Sequence, residues 1–127
     1  MKFKLLALLA AAASVLLIPA SLEAHHGQAG YNVKEPVTVS GTVSGFRFLN
    51  PHCIIEFDVK DDKGQVEKWQ GELTSPNHLI RAGWTATSLK PGDQVTVTGY
   101  RAKSGAPSLW ITKLMLNGEE MQLREGN

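Results

Sequence analysis

Apolar and polar residues alternate with a period of two along several stretches of the chain. Val37, Val39, Gly41 and Val43 interleave with Thr38, Ser40, Thr42 and Ser44, the pattern of a strand with one buried face. This strand runs on towards Phe48 and is stopped by Asn50-Pro51. A second is predicted from His52 to Lys60, with Cys53, Ile55, Phe57 and Val59 on one face and His52, Ile54, Glu56 and Asp58 on the other. Asp61-Asp62-Lys63-Gly64 has the composition of a hairpin turn, and a third strand over Gln65–Leu73 carries Trp69. The pattern then changes. Ser75 suits a helix cap, Pro76 a first helical position and Gly83 a helix end, which predicts a short helix over Pro76–Ala82. After a turn at Leu89–Asp93, alternation returns over Gln94–Arg101 with Val95, Val97 and Gly99. A polar loop, Lys103–Pro107, leads to a long strand over Leu109–Leu116, and a turn at Asn117-Gly118 to a short tail strand around Met121.

Three strands, a short helix, then further strands is the order of an OB-type barrel. The expected fold is therefore mainly β: a small five- to six-stranded antiparallel OB-like barrel with one short helix between strands 3 and 4. Closure would remove the exposed edges that a small sheet must otherwise protect. An open β-sandwich of the same strands is the competing arrangement. The barrel domain is expected to occupy residues 37–127. Residues 25–36 (HHGQAGYNVKEP), aperiodic and with two glycines, are expected to form a flexible arm.

The first residues change the setting. Lys2 and Lys4 precede an apolar run from Leu5 to Ile18 broken only by Ser14; Pro19 ends it, and a polar stretch closes on Ala24. This is the layout of a signal peptide, and the run is shorter than the ~20 residues of a spanning helix. Residues 1–24 are read as the leader, with cleavage after Ala24 making His25 the new amino terminus. Cleavage after Ala20 would set Pro19 against the scissile bond. No lipobox cysteine follows the run. The processed protein is expected to be periplasmic or secreted and not membrane-spanning.

Removing residues 1–24 takes away Lys2, Lys4 and Glu23 from 13 basic and 12 acidic side chains, leaving 11 of each. A neutral chain lacks the basic surface that nucleic-acid binding requires. Cys53 is the single cysteine, so no internal disulfide can form; sharing a face with Ile55 and Phe57, it is expected to be buried and inert.

Several strings together resemble a known family: His25-His26, Gly41-Thr42-Val43 with Phe46-Arg47-Phe48, Asn50-Pro51-His52, Trp69 with Glu72, Ser75-Pro76-Asn77, Gly83-Trp84-Thr85, Ser88–Asp93 and Val95–Gly99. The chain is similar to exported bacterial proteins of the domain-of-unknown-function family 6152 over nearly all of its processed length. The resemblance implies a stand-alone exported domain of this size and assigns no chemistry. The chain departs from the pattern at Cys53, where an aliphatic residue is expected, and His78 is not part of it.

The four histidines are the candidate chemistry. An α-amino group beside the imidazole of His25 forms a chelate for a divalent transition metal, and a further imidazole from His52 gives the planar nitrogen set that suits Cu(II). His26 could instead chelate through its imidazole, the intervening amide and the terminal amine. His52, at the start of a strand and on the face opposite Cys53, is the expected third ligand, and Glu72 on the adjacent strand would hydrogen-bond its ring. Solvated histidines and a solvated carboxylate are the plain alternative, and His78 is read as an exposed helix residue. Trp69, Trp84 and Trp110 are read as core or rim packing. No nucleophile–base–acid set, H-E-x-x-H, C-x-x-C or phosphate loop occurs, so no catalytic residue is expected. Two functions follow: a non-enzymatic periplasmic metal-handling protein using His25, His26 and His52, or a metal-free OB-like adaptor for an envelope protein or small ligand. A copper-dependent redox enzyme is the third and least supported.

Overall fold

The computed structural model describes residues 26–126, with side chains from Gln28 onward. The expected leader, residues 1–24, and His25 lie outside the described residues, as does the side chain of His26. The chain forms α1 (His26–Ala29), β1 (Tyr31–Arg47), β2 (Ile54–Lys60), β3 (Val66–Glu72), α2 (Pro76–Arg81), β4 (Gln94–Ala102), β5 (Ser108–Leu116) and β6 (Glu119–Met121).

Strand β1 serves two partners. Its first part, Tyr31–Thr42, runs antiparallel to β4, and Thr42–Arg47 runs antiparallel to β2. β2 pairs with β3 and β4 with β5. A short parallel contact, Gln70–Glu72 against Ser108–Trp110, then joins β3 to β5. The ring β1-β2-β3-β5-β4 is thereby closed, with α2 between β3 and β4 and β6 added to β5. This is the OB arrangement read from the strand order.

The expected arm, residues 25–36, is corrected in two places. His26–Ala29 form a helical turn, and β1 begins at Tyr31, not Val37. Tyr31 pairs with Ala102, Pro36 pairs with Tyr100, and the Lys103 amide donates to the Gly30 carbonyl at 2.8 Å. Between these pairs Asn32–Glu35 stand against Arg101 alone, and Val33, Lys34 and Glu35 are exposed. A bulge of that size breaks the alternation of faces, so the strand has no period-two signature there.

Alternation fixes the core elsewhere. Val43, Cys53, Ile55, Phe57, Leu73, Leu79, Val95, Val97, Leu109 and Leu114 are buried, and full burial of a side chain such as Phe57 contributes about 1.5–3 kcal/mol. A register shift between Val43 and Gly45 resets the phase of β1, so Phe46 and Phe48 still pack against this core. Cys53 is 0% exposed. Its burial pushes the thiol pKa up, opposed by a hydrogen bond with the Leu49 backbone, which disfavours the reactive thiolate.

The helix lies where its punctuation predicted. Gly83, at φ 93°, turns the chain out of α2, and the Trp84 amide donates to the Leu79 carbonyl at 2.9 Å. The Ser75 side chain makes no capping bond; the Ser75 carbonyl accepts from the His78 and Leu79 amides instead. Trp84 Nε1 donates to the Gln122 carbonyl at 2.6 Å, tying the C-terminal tail to the region beside α2. Among the described residues, no helix is long and apolar enough to cross a membrane.

Candidate functional site

The best-defined polar cluster joins the start of β1, the approach to β2 and the end of β3. Ile54 faces Glu72 in the β2–β3 register. Backbone bonds continue that pairing beyond the strand ends: the Cys53 amide donates to Thr74, and the Leu73 amide to Cys53. Cys53 and Leu73 are thus held inward, and His52 and Glu72 come to lie side by side on the other face. His52 Nδ1 lies 2.5 Å from Glu72 Oε1. The two side chains are 33% and 21% exposed, enough shielding for a short charge-assisted bond and enough opening for a ligand to reach the ring.

Tyr31 completes the cluster. Its hydroxyl donates to Glu72 Oε2 at 2.6 Å, so each carboxylate oxygen has its own donor. A carboxylate accepting from Nδ1–H leaves the other ring nitrogen of His52, Nε2, as the free metal-binding atom. Trp110, which faces Glu72 across the β3–β5 contact, forms the floor. Its ring centroid is 5.4 Å from that of His52, with the planes at 89°, and 6.1 Å from that of Tyr31.

Burial first, and the hydrogen bond to Glu72 second, push the Tyr31 hydroxyl pKa up to about 12, against an opposing hydrogen bond from Ser108. Because the folded protein holds this proton more tightly than the unfolded chain, the stabilisation is complete below about pH 10 and is lost as pH rises through about 12. Absorbance titration of tyrosinate should therefore show an ionisation near pH 12 that the Tyr31→Phe variant lacks. A Tyr31→Phe titration identical to that of the parent would contradict the assignment.

The sequence reading placed His52 and Glu72 together, and the structure does so. Tyr31 was missed, because it sits in the stretch read as a flexible arm. Its only signal is an aromatic hydroxyl ahead of a strand. His78 is exposed, as expected; its Nδ1 lies 2.8 Å from Thr74 Oγ1, away from the Glu72 cluster's hydrogen bonds. The other two expected ligands, His25 and the His26 side chain, lie outside the described residues. Among the described residues, no three His, Cys, Asp or Glu side chains converge as a metal-binding group.

Trp69 and Trp84 are buried, and Trp110 is half-buried at the rim. Trp69 Nε1 donates to Glu67 at 2.7 Å, and the Arg101 guanidinium lies 5.0 Å from the ring centroid. These contacts engage the edge and one face of the Trp69 indole.

The chain shares a general likeness with the crystal structure of the mitochondrial single-stranded DNA-binding protein from S. cerevisiae, at 15% sequence identity and a TM-score of 0.44, over 72% of this chain and 97% of that one. No curated protein matches the chain significantly. The model of the family of unknown function DUF6152 matches residues 12–109, and the chain belongs to that family.

Proposed function

We propose that this protein is an exported, non-enzymatic metal-handling protein that binds Cu(II) through the amine and imidazole of His25 together with Nε2 of His52. The observation that supports this reading is the 2.5 Å contact between His52 Nδ1 and Glu72. It orients the ring and leaves the remaining nitrogen free to coordinate, as outer carboxylates do for metal-bound histidines. Tyr31 supports it further, because it anchors on Glu72 only six positions after His25 in the chain. Neither Glu72 oxygen is spare, which gives Glu72 an orienting role and leaves the coordination to nitrogen, the donor Cu(II) favours.

Cu(II) titration of the processed protein tests the proposal. Glu72→Gln should weaken binding by about 10–100-fold, the range for loss of a ligand's support, and His52→Ala by at least as much, while His78→Ala leaves it unchanged. Affinity should also fall as pH drops, since the amine and the imidazole nitrogens bind a metal only when free of a proton. Undiminished binding by His52→Ala would reject this site and favour the metal-free adaptor.

A further inference from the structure

Trp110 also lines a cleft of about 450 Å³, together with Thr74, His78, Arg81, Arg124 and Glu125. Its size is that of a small-ligand site. Three elements build it. α2 supplies His78 and Arg81, β5 supplies the indole, and the C-terminal tail supplies Arg124. The Trp84–Gln122 bond sets the tail beside the helix, and the Thr74 hydroxyl at 2.8 Å steadies the His78 ring.

The charges in this cleft are unbalanced in a protein whose expected processed form is neutral. Arg81 and Arg124 are both exposed, and neither forms an ion pair or side-chain hydrogen bond with any described residue. Of the other two arginines, Arg47 pairs with Glu56 and Arg101 bonds two backbone carbonyls. Among the described residues Glu125 is the one acid in the lining, and it lies beyond ion-pair distance of both guanidinium groups. Two free planar forks beside an indole offer two recognition surfaces together: paired N–H donors that match a carboxylate, and a flat apolar wall.

We propose that this cleft binds a small aromatic carboxylate, its ring against Trp110 and its carboxylate between Arg81 and Arg124. A bare inorganic anion would use the guanidinium groups and leave the indole without a role. An uncharged aromatic would do the reverse. The proposal does not depend on metal binding, and the two can be tested separately.

Benzoate is the probe, titrated into chelator-treated protein while the indole N–H resonances are followed by NMR; the Trp110 resonance is identified by its loss in Trp110→Phe. Benzoate should shift this resonance saturably and leave those of Trp69 and Trp84 in place. Benzamide, its uncharged isostere, and inorganic phosphate should each bind at least about tenfold more weakly, the worth of a charge-assisted hydrogen bond. Arg81→Gln and Arg124→Gln should each weaken benzoate binding by a similar factor. Both side chains are exposed, and an unchanged spectrum of the free variants verifies their fold. Equal binding of benzamide, equal binding of phosphate, or full benzoate affinity in both arginine variants would overturn the proposal. A copper result in either direction leaves this outcome unaffected.

Discussion

Three alanines added ahead of His25 should weaken Cu(II) binding by about 100-fold, the upper end of the loss seen when a metal site is disturbed; one or two would bring His26 or His25 to the third position, an amino-terminal copper chelate in its own right. The addition touches no part of the barrel. It converts the α-amine, which titrates near ~8 and supplies a lone pair once deprotonated, into an amide with no available lone pair. The six-membered chelate ring that the amine and Nδ1 close on the metal is lost with it, leaving His25 as an ordinary monodentate side chain. The comparison uses protein processed by export against protein carrying three extra alanines, each verified by intact mass. It also tests the leader boundary, because a mass corresponding to cleavage after Ala20 would place four residues ahead of His25. Equal copper affinities of the native and extended termini would remove the amino terminus from the site.

Gly99→Ala should destabilise the fold by about 3 kcal/mol, the upper range for inserting volume into a packed interior. For a domain of this size that corresponds to a fall in Tm of more than about 10 °C. A Cβ on Gly99 would strike the Trp110 carbonyl group and lie 3.0 Å from Ile111 Cα. All of these are backbone atoms, so no rotamer change relieves the collision. Gly99 also sits at the register shift of the β4–β5 pairing, where the strands already depart from regular spacing. Relief requires moving β5 and with it the Trp110 floor. Gly71→Ala is a milder case, since the Cβ there would meet the tip of the Ile111 side chain, which can move. Gly30→Ala is the control, with nothing within 4 Å of the added carbon. Thermal unfolding of the two variants decides the matter: a Gly99→Ala Tm equal to that of Gly30→Ala would show that the strands part at no cost.

Most of the fold was legible in the sequence because a half-buried strand forces alternation. Val95 and Val97, Cys53, Ile55 and Phe57, and Leu109 with Ile111 all carry that signal, and they are among the residues that fill the core. The helix was legible from Pro76 and Gly83, whose backbone constraints are local. The parallel β3–β5 contact that closes the barrel was not visible in the residues themselves, because pairing between distant strands leaves no local signature; it followed only from the strand order. The His52–Glu72 pair could be anticipated from adjacent strands of known phase. Tyr31 could not, since the bulge at Asn32–Glu35 hides its strand. Arg124 was missed for a similar reason: the tail has no periodicity, and its place beside α2 depends on the bond from Trp84 to the Gln122 carbonyl.

The position of Trp110 makes it an internal optical reporter. It touches the rings of both His52 and Tyr31 and also lines the arginine-rimmed cleft, whereas Trp69 and Trp84 are buried within the core. A paramagnetic ion on His52 would sit next to one indole of the three and quench its emission. A bound aromatic acid would instead change the polarity around that indole and shift its emission wavelength. Occupancy at the two neighbouring sites can thus be separated by light from one residue, with no label attached to the protein.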